Sequence, residues 1–105
     1  MITVIVNFEL QDGMTRKEII SKFEKSTQKW RDNRDLISKN YLIDLDSGIA
    51  GGVFLWNQKM HAEIWLGAEF KKMIKENYGG EPTIQFFETP IVVDNISGDI
   101  IKECT

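Results

Sequence analysis

One histidine occurs in the chain, His61, in the stretch QKMHAEIWL. At about 100° per residue, Met60, Ile64, His61 and Trp65 fall within about 140° of one another on a helical wheel. The imidazole therefore shares an apolar arc with a tryptophan one turn later. A histidine so placed can act as a general base or a polar anchor, because its pKa is tunable near neutrality. The commoner use of the pattern is a histidine that packs, satisfied, against a sheet. Asn7 and Lys39 are the other polar candidates: Asn7 shares strand parity with Ile5, and Lys39 with Ile37, Tyr41 and Ile43. A buried amide or ammonium needs a partner and can polarise a substrate carbonyl or stabilise an enolate. Solvated strand positions or contacts between subunits are the commoner explanation for each.

Aromatic residues supply the second signal. Trp30 closes the inward arc of the first helix, Trp65 lies on the second, and Phe54 and Trp56 share one parity of a strand. Tyr41 on the second strand and Phe86 on the last complete the candidate substrate-binding set. Most aromatics of this kind are core. Here small or hydroxylated residues, Ser26, Thr27, Gly51 and Gly52, stand between them, a composition that suits a cavity for a flat aromatic ligand.

Other chemistries find little support. One histidine, one cysteine and no acidic cluster at ligand spacing argue against a metal site, and no nucleophile elbow or phosphate-binding glycine loop is present. No cofactor is expected. The net charge is −3, and the 13 basic residues are scattered among 16 acidic ones without a basic stripe. Nucleic acid is thus an unsuitable partner. No apolar run is long enough for a membrane helix, and the N-terminus MITVIVNFEL has strand character and lacks the features of a signal peptide. Cys104, the penultimate residue, has no intramolecular partner, which fits a reducing, cytoplasmic setting.

The elements that must position these residues can be read in turn. A chain of 105 residues makes one domain. Residues 2–9 form a first strand. Thr15 and Glu18 have the spacing of a capping box at the start of a helix that runs to residue 30. Residues 36–45 and 49–56 form a hairpin around Asp46-Ser47-Gly48. A helix broken at Gly67 covers 58–66 and 68–78, stopped by Gly79-Gly80, and residues 82–93 form a last strand in which Pro90 marks an edge or a bulge.

The order βαββαβ predicts an α+β, ferredoxin-like sandwich over residues 1–95, with an antiparallel sheet and the helices on one face. Residues 96–105 are expected to fray as a C-terminal tail. Strands with bulky apolar residues at both parities need cover on the second face, most simply another copy of the chain across a two-fold axis. Gly51 and Gly52 inside a central strand admit two explanations, a bend that shapes the sheet or room for something close to the backbone. Bending is the better fit, so valine at either position should harm folding or dimerisation.

The stretch LISKNYLIDLDSGIAGGVFLW, followed by AEIWLGAEF and NYGGEPTIQFFETPIVVDN, resembles the YdhR-like monooxygenase family of the dimeric α/β-barrel superfamily, which includes the antibiotic-biosynthesis monooxygenases. The likeness runs from about Leu36 to Asn95; residues 1–35 match mainly in layout. It implies a homodimer joined through its sheets, with a cavity in each protomer between sheet and helices. It also implies oxygenation of a small aromatic or polycyclic compound without metal, haem or flavin. On that scheme His61 would be the base and Asn7 or Lys39 would polarise the substrate, although the family pattern has a small residue where His61 stands. A non-catalytic binding or stress-related domain, or an isomerase or decarboxylase on the same scaffold, would present the same features.

Overall fold

The computed structural model describes residues 1–103. Strand β1, Ile2–Glu9, places Val4, Val6 and Phe8 on one face, where all three are buried. Helix α1, Arg16–Arg31, begins where the Thr15 hydroxyl accepts a hydrogen bond from the Glu18 amide at 3.2 Å, satisfying one of the orphan donors of the first turn. Its apolar positions Ile19, Phe23 and Trp30 recur at helical spacing and are buried. Strands β2, Leu36–Asp44, and β3, Ile49–Trp56, form the expected hairpin.

Helix α2, Lys59–Trp65, gives way at Gly67 to α3, Ala68–Tyr78. Gly79, at φ 95°, then supplies the left-handed residue that ends α3 while its amide bonds back to the Lys75 carbonyl at 2.9 Å. Strand β4, Thr83–Glu88, completes a four-stranded antiparallel sheet of order β2-β3-β1-β4. This is the ferredoxin-like arrangement, with α1 and α3 over one face. The core lies between them, where Trp30 meets Phe54 edge-on at 5.2 Å and Phe70 at 6.1 Å. Among the described residues, no helix is long and apolar enough to cross a membrane.

Three local expectations are corrected. The segment 82–93 is not one strand: the Thr89 amide still bonds to the Met1 carbonyl at 2.9 Å, but Pro90 has no N–H with which to continue the ladder. The chain leaves the sheet there and starts a separate strand β5, Ile91–Asp94. The residues expected to fray instead turn at Asp94 and return as β6, Asp99–Lys102, antiparallel to β5; Cys104 lies outside the described residues. Finally, Ile37 does not share a face with Lys39. Leu36 pairs with Trp56 and Lys39 with Phe54, so three steps on β2 match two on β3, and the bulge turns Ile37 outward.

Candidate active site

A cavity of about 290 Å³ opens between the sheet and helices α1 and α3. Its floor is the helix-facing side of β1, β2 and β3, and its walls include Trp30, Phe54 and Tyr41. Gly52 leaves a gap in that floor. A Cβ there would lie 3.3 Å from both the Lys39 Cε and the Phe54 Cε1, so the missing side chain is the space through which the lysine stem passes.

Lys39 is the central polar group. Its Nζ lies 4.6 Å from the centre of the Trp30 ring, 3.9 Å from Tyr41 and 4.5 Å from Phe54, and among the described residues it forms no ion pair. The aromatic faces attract a cation but do not replace the water removed around it. Burial, reinforced by the charge of Lys29, therefore brings its pKa down from 10.5 to about 7. An amine so placed can take up a proton near neutral pH.

Beside it stands a hydroxyl pair. Ser26 Oγ donates to the Phe23 carbonyl at 2.8 Å and lies 2.7 Å from Tyr41 Oη. Since the serine has one proton and gives it to the carbonyl, the tyrosine donates to the serine. Burial raises the Tyr41 pKa despite that bond, and burial, reinforced by Tyr41, pushes Tyr78 in the cavity lining up to about 12. Both phenols are thus neutral at physiological pH.

Of the candidate residues, the fold brings Lys39, Trp30, Tyr41 and Phe54 together around the cavity and places the others elsewhere. Asn7 points to the opposite face of the sheet and is exposed, because its neighbours Val6 and Phe8 take the helix side. His61 leaves the cavity for the β2 end of the molecule: its Nδ1 lies 3.4 Å from Asp35 Oδ1, and the same carboxylate accepts from Trp65 Nε1 at 3.2 Å. Trp65 is consequently 41% exposed, a clamp between α2 and the loop before β2. Trp56 is wholly buried and stacks on Phe54 at 13°, so it fills core. Phe86 sits on the edge strand, with the Lys59 ammonium 5.9 Å from its ring. Thr27, unlike Ser26, is exposed and bonds to the Glu24 carbonyl.

Sequence reasoning missed the basic side of the site. Lys22, Lys25 and Lys29 line the cavity from α1. Their i, i+3, i+7 spacing was the available signal, inconspicuous because Phe23, Glu24, Ser26, Thr27 and Gln28 separate them along the chain.

Neither a family model nor a curated protein matches the sequence. Among solved structures, the chain is similar to one described as the crystal structure of an antibiotic biosynthesis monooxygenase, with a TM-score of 0.63 at 14% identity. The match covers 85% of this chain and 98% of that one. At this identity the likeness establishes the α+β, ferredoxin-like fold.

Proposed function

We propose that the protein is a monooxygenase of the YdhR-like type, oxidising a small aromatic substrate by direct reaction with molecular oxygen. The observation that carries this reading is the Lys39 amine, held among Trp30, Tyr41 and Phe54 inside the cavity. The chemistry needs a base in dry, apolar surroundings, and the neutral form of Lys39 is that base. Nζ takes a proton from an activated C–H of the substrate. The resulting carbanion passes one electron to oxygen, and the two radicals join in a C–O bond. Protonation by the lysine gives a hydroperoxide, and O–O cleavage with loss of the second hydrogen on that carbon leaves a carbonyl group and water. The balance is one CH2 and one O2 to one C=O and one H2O. The name of the solved structure of like fold supports the reading at the level of reaction class.

The working unit in this proposal is a homodimer joined through the open sheet face. The β5–β6 hairpin supports it: two four-residue strands are too few to be stable alone, yet Val93 and Ile100 are 64% and 63% exposed. A second copy would cover them.

Oxygen uptake with hydroxylated anthrones, whose CH2 should appear as a carbonyl in the product, tests the activity. Uptake should rise with pH through about 7, fall at least about a hundredfold in Lys39→Met, and survive in His61→Ala. Binding without uptake would refute the oxygenase reading in favour of a binding module, and turnover without oxygen would refute it in favour of an isomerase or decarboxylase.

A further inference from the structure

The cavity has a charge that the chain as a whole does not. The protein is net −3, with 16 acidic residues against 13 basic, yet the cavity is lined by Lys22, Lys25, Lys29 and Lys39 and by no aspartate or glutamate. Ion pairs elsewhere use other lysines, Lys72 with Glu76 and Lys75 with Glu81. Among the described residues the four cavity lysines have no carboxylate within salt-bridge distance. Lys29 instead lies over the Trp30 ring, 5.0 Å from its centre. An unpaired positive row beside a low-dielectric wall concentrates field in the opening and attracts anions.

We infer that the ligand of this cavity is an aromatic acid, bound with its carboxylate on the Lys22, Lys25 and Lys29 row of α1 and its ring between Trp30, Tyr41 and Phe54. The proposal names the substrate class for the oxygenase reading and uses the same cavity. Its geometry divides the work: the row on α1 holds the anion at the mouth, while Lys39 faces the ring on the sheet side, where a proton would be removed. Ammonium groups suit a carboxylate as point charges, and flat aromatic walls suit a ring. A volume of about 290 Å³ fits a compound of one to three rings.

The test is anaerobic titration of the full chain, followed by tryptophan fluorescence and calorimetry, with 2-naphthoate and its uncharged isostere 2-naphthamide. The acid should bind at least about tenfold more tightly than the amide at low salt, with the advantage shrinking as salt is raised. In Lys25→Gln/Lys29→Gln the preference should fall to within about threefold, while amide binding is retained, showing an intact cavity. Lys71→Gln, an exposed change on α3 away from the cavity, should leave the preference as it is. Equal binding of acid and amide, a preference that survives the double variant, or no binding of either compound would overturn the proposal. Anaerobic binding of the acid with no oxygen uptake from hydroxylated naphthoates would overturn only the oxygenase reading.

Discussion

Adding one methyl group at Gly51 should unfold much of the stability of this domain, whereas the same change at Gly52 should leave it nearly intact. Neither glycine has positive φ, so the difference is one of space and not of backbone conformation. An ideal Cβ on Gly51 would stand 1.9 Å from the Val6 carbonyl oxygen. An ordinary contact would require β1 and β3 to separate by more than about 1 Å at the centre of the sheet, where hydrogen bonds and packing resist. Overpacking of this kind costs about 3 kcal/mol or more, a large share of the stability of a small domain. With an m-value of about 1.5 kcal/mol/M, the urea midpoint of Gly51→Ala should fall by about 2 M. At Gly52 the contacts are 3.3 Å, two of them to side chains that can shift, so Gly52→Ala should cost about 1 kcal/mol or less. It should displace the Lys39 stem, letting water reach the amine and raising its pKa from about 7. Urea unfolding followed by tryptophan fluorescence reads the first effect, and NMR titration of methyl-labelled lysine reads the second. If Gly51→Ala unfolds within about 0.5 kcal/mol of the parent, or if the two variants lose equal stability, the assignment of one glycine to strand approach and the other to the lysine is refuted.

The amine itself should be a burden on folding. Its folded pKa of about 7 lies below the unfolded value of 10.5, so between them the unfolded chain binds more protons and parent stability rises with pH. Lys39→Met removes that cost. The variant should gain on the order of 2–4 kcal/mol at pH 6, shrinking by about 2 kcal/mol by pH 9, as measured by urea unfolding at the two pH values. At the other end of the molecule, Val93→Asp/Ile100→Asp places facing carboxylates on the hairpin. Sedimentation should show a dimer for the parent and a 12 kDa monomer for the variant; a monomeric parent would refute the dimer.

How much could be read in advance depended on whether a residue's place followed from local periodicity. The α1 arc with Trp30, the break at Gly67 and the β2–β3 turn are local patterns, and each fixed its element. Lys39, Tyr41 and Phe54 share a cavity because neighbouring strands bring like parities together, which alternation alone predicts. His61 defeated the same logic. Its arc on α2 is apolar, but α2 is only one helical segment of two, and α3 took the place over the cavity. Asn7 followed the parity of Ile5 to the outer face, where pattern could not say which face held the cavity. The α1 lysines form a row only around the helix; along the chain, positions 22, 25 and 29 stand apart among uncharged and acidic neighbours. The C-terminal hairpin was invisible for a different reason: its stability must come from whatever it packs on, and a sequence shows its apolar residues but not their cover.

The extra residue at Ile37 makes β2 two rulers joined by slack. From the hairpin turn, alternation runs through Ile43, Tyr41 and Lys39 on the cavity side; from the other end, Leu36 is set against Trp56. Without the joint, Leu36 and Lys39, an odd number of steps apart, would lie on opposite faces. The bulge thus lets Leu36 close the core beside Trp56 while Lys39 keeps its place on the cavity side.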